Sequence, residues 1–414
     1  MINCFYDCYT VLNKVYSDGA FLKKAIADTV IEEKNRALTV KICYGVLDKD
    51  AELSYYISKL CDKNPKLAIR TILKISFYYI KYLNKHVYAV TQNAVELTKK
   101  LGKGGASGFV NAVLRKFSTT DIPLPEDETD YLSVKYSYPD FIVKELINDY
   151  GKDRAEKIMA SQNLKTTLAF YGCDGGEYLE SHNVEFERTP FENVYSCKNF
   201  VRNEDYDKGL YTFQALGSVA ICDAIEGGNE LLDCCSAPGG KSIRLSHKFN
   251  KVTSFDIYPH RVNLISEYKR RMKVENVCEK VEDSSKFNPD YENAFDVVLC
   301  DAPCSGSGVF NDNPDMKLFR SENALEELNK LQISIIKNVS RYVKKGGYLY
   351  YSTCSILNRE NMAIINTFLS DRTDFELEET SSPLFAETGF GYLQFLPDVS
   401  GGLGFFVCKM KRKN

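Results

Sequence analysis

The sequence has no tryptophan, only four histidines, and no unbroken apolar run long enough to cross a membrane. A transmembrane helix needs about 20 consecutive apolar residues, so none is predicted. The first residues also lack a basic stretch followed by an apolar one, which is the pattern of a secretory signal. We therefore expect a protein that stays in the cytoplasm.

Cysteine is frequent, with 14 residues, but no two cysteines stand in a Cys-x-x-Cys arrangement. With only four histidines besides, the chain has few ligands from which to build a zinc site, and we predict no bound metal. Disulfides are rare in a reducing cytoplasm, so most of the cysteines should be buried as small apolar side chains. Two of them, Cys304 and Cys354, stand where chemistry is expected instead.

The formal net charge of −3 is distributed unevenly along the 414 residues. Residues 1–118 contain 19 Lys and Arg against 10 Asp and Glu, a net charge of +9, and the remainder contains 34 against 46, a net charge of −12. This asymmetry indicates a basic N-terminal module that contacts nucleic-acid phosphate, joined to an acidic module with another task. A solvated lysine-rich surface is the alternative that charge alone leaves open.

Hydrophobic patterning divides the chain into four segments. Residues 1–122 have apolar residues at helical spacing and almost no proline, which predicts an all-α domain. Residues 123–131 have the composition of a linker, and residues 132–228 predict helices followed by a small α+β subdomain. Residues 229–414 alternate strand-like and helical stretches, which is typical of a doubly wound, mainly parallel α/β sheet. The strand-like runs are Glu230–Cys234, Lys251–Asp256, Val277–Glu282, Phe295–Cys300, Gly347–Ser352 and Gly404–Met410.

The first of these strands runs into a glycine turn and then a helix, a pattern that suits a nucleotide-like cofactor. Glycines let the backbone approach a ligand, and a helix N-terminus supplies unpaired N–H groups. Asp256 ends the next strand, 16 positions after Gly240, which is close to the spacing at which an acid reaches a ribose. Asp283 follows the third strand, where a side chain could contact an adenine ring. The residues predicted to bind the cofactor are Cys235, Ser236, Ala237, Pro238, Gly239, Gly240, Lys241, Asp256, Arg261, Asp283 and Asp301.

Two alternatives compete for this pattern. An ordinary strand-turn-helix with acids at loop starts would look similar, and a dinucleotide dehydrogenase would also place an acid after the second strand. The dehydrogenase requires Gly-x-Gly-x-x-Gly, which this turn lacks. Three strand-end features in the correct order favour an adenosyl cofactor.

Two cysteines follow the fourth and fifth predicted strands. Cys304 closes the turn Asp301-Ala302-Pro303-Cys304, and Cys354 follows Thr353. Neighbouring strands lie about 5 Å apart, so both cysteines should emerge on the edge of the sheet where ligands bind. Two buried structural cysteines, or a redox disulfide between them, remain the alternatives; a disulfide would leave the cofactor pattern unexplained.

A thiolate beside a methyl donor suits methylation of cytosine at carbon 5. Carbon 5 is a poor nucleophile until a thiolate adds to carbon 6, and the thiolate requires surroundings that lower its pKa. A carboxyl group that hydrogen-bonds N3 and the exocyclic amine would stabilise the adduct, and Asp301 is the candidate. A second group must then help to remove the C5 proton so that the protein is released.

Together these motifs resemble the RNA 5-methylcytosine methyltransferases of the NOL1/NOP2/Sun family. The matching segments are Cys235–Lys241, Asp256, Asp283, Asp301–Cys304 and Thr353–Ser355. The resemblance implies a Rossmann-like methyltransferase domain that ends in an antiparallel strand, with S-adenosylmethionine as the cofactor. It also implies that Cys354 is the nucleophile and that Cys304 assists product release.

The resemblance extends to the N-terminus. The segments His86–Leu97 and Gly108–Arg115 look like a helical NusB-like RNA-binding domain. A NusB-like domain joined to this catalytic domain resembles the bacterial members of the family that act on 16S ribosomal RNA. We therefore expect 16S RNA or a small-subunit assembly intermediate as the partner, neither membrane nor DNA, and a monomer.

Other functions stay open at this point. The same chemistry could act on transfer RNA or 23S ribosomal RNA, or the chain could be a non-catalytic RNA-binding assembly factor. An N-methyltransferase would carry Asn/Asp-Pro-Pro-Tyr or Phe after the fourth strand, where this chain has Asp301–Cys304. Pro314, Asp315 and Lys317 stand on the loop after Cys304, where they could position RNA or merely begin a helix.

Overall fold

A computed structural model describes residues 2–163 and 165–414, apart from the side chains of residues 2 and 3. The chain divides into two compact units. The helical unit comprises Met1–Met159 and Asp312–Ser321, and the sheet unit comprises Ala160–Asn311 and Glu322–Asn414. This division differs from the four predicted segments, because the boundary at residue 159 falls inside the predicted connecting subdomain of residues 132–228.

Amphipathic helices build the helical unit around one apolar core. Residues at helical spacing, such as Ile72, Leu73 and Phe77, are fully buried, which is the arrangement that their periodicity predicts. Pro65 stands two residues before Leu67, at which the helix that contains these residues begins. The helices are α1 (Ile2–Asp18), α2 (Leu22–Ala27), α3 (Glu33–Asp48), α4 (Asp50–Leu60), α5 (Leu67–Lys81), α6 (Val87–Lys100), α7 (Ser107–Thr119), α8 (Glu128–Tyr136), α9 (Asp140–Tyr150) and α10 (Lys152–Ala160).

The segment after Asn311 packs in the helical unit as a 3-10 helix, Pro314–Phe319. Asp315 accepts the backbone N–H of Leu22 at 3.0 Å, and Lys317 forms an ion pair with Asp48 at 2.9 Å. Both charged side chains are buried. Of the two alternatives, RNA positioning or a helix start, the structure favours the helix start, because both side chains make their polar contacts inside the protein.

A small antiparallel sheet opens the sheet unit. Its strands lie in the order β2-β3-β1-β4, and their buried apolar residues form a separate small core. This arrangement confirms the predicted α+β region. Its elements are β1 (Thr166–Phe170), α11 (Gly175–Ser181), β2 (Phe186–Arg188), β3 (Val194–Cys197), α12 (Glu204–Asp207) and β4 (Tyr211–Phe213).

The large sheet carries the predicted doubly wound pattern. Its strands lie in the order β11-β12-β13-β9-β8-β5-β6-β7, with β10 paired to β13. The five strands from β9 to β7 are parallel to their neighbours, and β13 pairs with β9 in the antiparallel direction. The strands are β5 (Gly228–Asp233), β6 (Phe249–Asp256), β7 (Val277–Val281), β8 (Phe295–Asp301), β9 (Val343–Thr353), β10 (Phe375–Leu377), β11 (Glu387–Gly389), β12 (Tyr392–Phe395) and β13 (Phe405–Arg412).

Helices connect these strands, and apolar residues are buried on both faces of the sheet. Burial on both faces explains the nearly continuous apolar runs of the parallel strands. All six predicted strands are confirmed, and β9 begins four residues earlier than its predicted run. None of the helices in the described part of the chain is both long and apolar enough to span a membrane. The connecting helices are α13 (Leu216–Ala224), α14 (Gly240–Leu245), α15 (Pro259–Met272), α16 (Glu322–Val339) and α17 (Met362–Asp371).

Candidate active site

The turn between β5 and α14 is tied to the end of the neighbouring strand β6. Ser236 donates both its backbone N–H, at 2.9 Å, and its hydroxyl, at 3.0 Å, to the carbonyl of Phe255. Gly239 adopts a left-handed conformation with φ of +105°, which disfavours any side chain at this position. The turn is thus fixed at the carboxyl edge of the sheet, where ligands of doubly wound sheets bind.

Asp256 and Arg261 lie against this turn. The Asp256 carboxylate, at the end of β6, is 3.3 Å from the Arg261 guanidinium, which also donates to the Ala237 carbonyl at 3.2 Å. Asp256 is almost fully buried, whereas the Arg261 side chain is 42% exposed. The structure therefore brings Ala237, Asp256 and Arg261 together, three of the residues predicted to bind the cofactor. The Arg261 guanidinium stays accessible to solvent beside them.

Asp283 follows β7 on a turn of its own. Its carboxylate accepts the backbone N–H of Ser285 at 3.0 Å and lies 3.1 Å from the Lys286 ammonium. Burial alone would raise the pKa of Asp283, but these hydrogen bonds outweigh it and lower the pKa. The adjacent Ser284 donates to the Cys234 carbonyl at 2.5 Å, which ties this turn to the end of β5.

A buried carboxyl that sequence reasoning did not nominate lies at the end of β5. Asp233 accepts a hydrogen bond from the Ser242 hydroxyl at 2.6 Å, and its Oδ1 has no partner among the described residues. Burial raises the pKa of Asp233 to about 7. The strand-end position was visible in the sequence, but complete burial was not.

Asp301, at the end of β8, pairs with Lys241 from the first turn of α14. Its Oδ2 lies 2.7 Å from the Lys241 ammonium, and its Oδ1 accepts the Ser352 hydroxyl at 2.7 Å. The parallel register places Asp301 opposite Ser352, two residues before Cys354. Burial would lower the pKa of Lys241, but the charge of Asp301 prevails and raises it.

Cys304 and Cys354 meet beyond the ends of β8 and β9. Their sulfur atoms are 3.3 Å apart. A hydrogen bond from Cys304 lowers the pKa of Cys354; burial opposes this effect, and the charge of Lys241 reinforces it. The same hydrogen bond raises the pKa of Cys304 well above its usual range. The two shifts have opposite directions and make Cys354 the more acidic thiol of the pair, with Cys304 as the hydrogen-bond donor.

A buried carboxylate joins the two cysteine turns. Glu360 accepts the backbone N–H of Ser305 at 2.7 Å, and its other oxygen accepts the hydroxyls of Ser305 at 2.5 Å and Ser355 at 2.6 Å. Each serine directly follows one of the two cysteines. Gln332 completes the network, since its amide donates to Glu360 at 3.2 Å and to the Pro303 carbonyl at 2.9 Å.

The Cys354 turn is also held by a close backbone approach. The N–H of Gly308 donates to the Cys354 carbonyl at 3.0 Å, and the N–H of Gly404 donates to the Gly308 carbonyl at 2.6 Å. A side chain at Gly308 would place its Cβ 2.2 Å from the Gly404 carbonyl oxygen. Sequence reasoning found the cysteines from their motifs but missed Glu360 and Gly308, which only long-range contacts make recognisable.

The described residues contain no cluster of three or more histidine, cysteine or acidic side chains that could hold a metal ion. The edge of the sheet instead presents two carboxylates, Asp256 and Asp283, at the ends of adjacent strands. Such acceptors suit ribose hydroxyls and an adenine amine.

Comparisons with known proteins agree with this arrangement. A family model described as 16S rRNA methyltransferase RsmB/F matches residues 220–411, and the NusB family model matches residues 6–119. The probable ribosomal RNA small subunit methyltransferase B of Bacillus subtilis (strain 168) is 32% identical over 431 residues, which cover 97% of this chain and 96% of the relative. The chain belongs to this family of ribosomal RNA small subunit methyltransferases.

A further relative aligns along most of the chain, and two solved structures share its fold. The ribosomal RNA small subunit methyltransferase B of Salmonella arizonae is 28% identical and covers 92% of this chain, with 92% of its own length matched. The crystal structure of PH0851 covers 100% of this chain and 99% of its own, with a TM-score of 0.84 at 21% identity. A methyltransferase homologue from Pyrococcus horikoshii covers 70% of this chain and 100% of its own, with a TM-score of 0.59 at 22% identity. The predicted family and fold are both confirmed.

Proposed function

We propose that this chain methylates carbon 5 of a cytosine in 16S ribosomal RNA and that Cys354 is the covalent nucleophile. The observation that carries the proposal is the 3.3 Å contact between the sulfur atoms of Cys304 and Cys354. The lowered pKa of Cys354 favours its thiolate, which is the form of cysteine that acts as a nucleophile. The matched family model, which is described as a 16S rRNA methyltransferase, supports the choice of RNA.

The residues at the edge of the sheet fit S-adenosylmethionine. Asp256 would accept hydrogen bonds from the ribose hydroxyls, Asp283 would contact the adenine, and the turn from Cys235 to Lys241 would lie along the amino-acid moiety. The buried Asp233, whose Oδ1 lacks a partner among the described residues, adds an acceptor beside the same turn. When bound, S-adenosylmethionine supplies a methyl group activated by a sulfonium.

The first step that a side chain of this protein carries out is the addition of the Cys354 thiolate to carbon 6 of the cytosine. A C–S bond forms, and the electron pair of the C5–C6 double bond shifts towards C5, which becomes nucleophilic. Asp301 holds the base by accepting from its exocyclic amine, since a carboxylate has lone pairs beyond the two used by Lys241 and Ser352. Lys241 keeps this carboxylate in place and partly offsets the effect of its charge on the pKa of Cys354.

The release step follows from the coupling of the two thiols. While Cys354 is a thiolate, it holds the proton on Cys304 and raises the pKa of that thiol. Once Cys354 has become a thioether, this cause of the raised pKa disappears. Cys304 then gives its own proton to water, and its thiolate takes the proton from C5. The C5–H electron pair re-forms the C5–C6 double bond, the C–S bond breaks, and its electron pair returns to Cys354 as the thiolate. A target cytosine inside folded RNA must be turned out of its stack to reach both sulfur atoms.

The test compares wild type with Cys354→Ala and Cys304→Ala on unmodified 16S RNA and labelled S-adenosylmethionine. We expect methylation at cytosine C5 in wild type, no transfer with Cys354→Ala, and a denaturation-resistant protein–RNA adduct that accumulates with Cys304→Ala. Cys278→Ala is the matched control, because this cysteine is exposed and outside the site, and it should keep full activity.

Two results would contradict the proposal in different ways. Methylation of transfer RNA or 23S RNA but not of 16S RNA would retain the chemistry and overturn the target. If wild type binds RNA and cofactor but methylates none of these RNAs, the chain is a binding protein that acts in ribosome assembly.

A further inference from the structure

The two sulfur atoms of the candidate active site lie within reach of a covalent bond to each other. They are 3.3 Å apart, and a disulfide bond is about 2 Å long, so each sulfur has to move by only about 0.6 Å. Both cysteines are partly exposed, which leaves their thiols accessible to a small molecule from solvent. We propose that a peroxide converts Cys304 and Cys354 into a disulfide, which switches methyl transfer off until a thiol reduces it.

The backbone on both sides of the two cysteines holds their sulfur atoms together. Two residues before each cysteine, the N–H of Ala302 donates to the Ser352 carbonyl at 2.9 Å. Directly after the cysteines, Glu360 accepts the hydroxyls of Ser305 at 2.5 Å and Ser355 at 2.6 Å. A displacement of the sulfur atoms by less than the length of a bond leaves these contacts in place, so the disulfide forms without unfolding of the two turns.

The acidity of Cys354 directs a peroxide to this pair. The hydrogen bond from Cys304 lowers the pKa of Cys354 and favours its thiolate, which is the form of cysteine that reacts with a peroxide. Cys234 and Cys300 also lie side by side, but both are buried, and burial raises the pKa of Cys234 well above its usual range. Closeness of two thiols is therefore joined to reactivity at Cys304 and Cys354.

The oxidation consumes one molecule of hydrogen peroxide. The Cys354 thiolate attacks one oxygen of the peroxide, the O–O bond breaks, and a sulfenic acid and a hydroxide ion are formed. Cys304 gives its proton to this hydroxide, and its sulfur then attacks the Cys354 sulfur and expels a second hydroxide. The two sulfur atoms together lose two electrons, which reduce the peroxide, and the products are the disulfide, one water and one hydroxide.

The disulfide removes both groups that the proposed mechanism uses. Cys354 has no thiolate to add to carbon 6 of the cytosine, and Cys304 has none to take the proton from C5. The disulfide also protects Cys354 from further oxidation to a sulfinic acid, which thiols do not reverse, whereas a dithiol restores both cysteines by exchange. The loss of activity rests on the proposed function, but the formation of the disulfide does not.

The test treats the full-length protein with increasing concentrations of hydrogen peroxide. Free thiols are then alkylated under denaturing conditions, crosslinked peptides are identified by mass spectrometry, and the same samples are assayed for methyl transfer to 16S RNA before and after dithiothreitol. We expect a crosslink between Cys304 and Cys354, activity that falls in proportion to the crosslinked fraction, and full recovery with dithiothreitol. Cys278→Ala removes an exposed thiol outside the site and is the matched control, which should behave as wild type does.

Cys304→Ser tests whether the second thiol resolves the oxidised state of the first. This variant cannot form the crosslink, so Cys354 should proceed to the sulfinic acid, seen as two added oxygen atoms that dithiothreitol does not remove. The exposed Cys278 serves as an internal reference in wild type. The proposal is overturned if wild type accumulates the sulfinic acid without the crosslink, or if Cys278 is oxidised at a lower peroxide concentration than the pair.

Two further outcomes distinguish this inference from the proposed function. A crosslink in a protein that methylates none of the RNAs before treatment would support the disulfide and refute the proposed function. A crosslink that leaves methyl transfer unchanged would overturn the switch, and with it the assignment of Cys354 as the nucleophile.

Discussion

Replacing Glu360 by glutamine tests whether a buried carboxylate outside the reacting groups sets the state of the nucleophile. Glu360 accepts one backbone N–H and two hydroxyls from Ser305 and Ser355. Glutamine offers one acceptor oxygen in place of two. In the orientation that conserves more of the network, the amide oxygen still accepts the Ser305 N–H. The amide nitrogen then faces the two serine hydroxyls, which can no longer donate to this position.

The magnitude follows from the two hydroxyl contacts. A hydrogen bond to a charged group contributes about 1.5–3 kcal/mol, and a neutral one about 0.5–1.5 kcal/mol. Losing the charge on both contacts should therefore lower the free energy of unfolding by about 2 kcal/mol, to be measured by urea denaturation. The exposed Glu322, changed to glutamine, is the control and should leave this free energy unchanged.

The decisive measurement is the pKa of Cys354 in Glu360→Gln, because two physical effects predict changes of this pKa in opposite directions. The hydrogen bond from Cys304 is the main cause that lowers this pKa, and the negative charge of Glu360 raises it. If Glu360 acted by charge alone, glutamine would lower the pKa further. We expect the pKa to rise instead, because the loosened turns lengthen the contact between the two sulfur atoms.

The assay is the rate of Cys354 alkylation as a function of pH, with Cys354→Ala as the blank, together with kcat and the KM for RNA. A higher thiol pKa and a lower kcat at unchanged KM would establish Glu360 as a positioning residue. A loss of stability with the pKa and kcat of the wild type would refute the reasoning, since the network would then only stabilise the fold.

Two further predictions concern stability. Gly308→Ala should lower the free energy of unfolding by about 2–3 kcal/mol, in the range of core overpacking, because its Cβ would lie 2.2 Å from a backbone oxygen. Gly108→Ala, a helical position with open space around it, should be neutral or stabilising by up to about 1 kcal/mol, and equal effects of the two changes would contradict the contact. Burial raises the pKa of Asp233 from 3.8, its ordinary value, to about 7 in the folded state. Between these two pH values the folded state binds one proton more than the unfolded state does. The free energy of unfolding of wild type should therefore fall by up to about 4 kcal/mol as pH rises from about 4 to 7. Asp233→Asn lacks this loss and should gain on wild type between pH 5 and pH 8 in urea denaturation; a pH-independent difference between the two proteins would contradict the raised pKa.

Local patterns in the sequence were sufficient to predict the fold. Helical periodicity over residues 1–118 and the strand-like runs after residue 229 reflect which side chains must leave water, and that information is carried by neighbours in the chain. The order of the strand ends placed Asp256, Asp283 and Asp301 at one edge, because parallel strands bring their carboxyl ends together. The motifs around Cys304 and Cys354 were likewise short enough to be recognised.

Contacts between distant residues decided the rest. Glu360 is an ordinary acid in the sequence and becomes the link between two turns only because β8 and β9 are neighbours in the sheet. The segment from Asp312 to Ser321 follows a catalytic strand in the chain, yet it packs among the helices of the other unit. The lowered pKa of Cys354 depends first on the position of Cys304 and, to a smaller extent, on that of Lys241. The pattern of apolar residues along the chain determines which faces of the helices and strands are buried, but only the tertiary structure determines which buried polar groups meet.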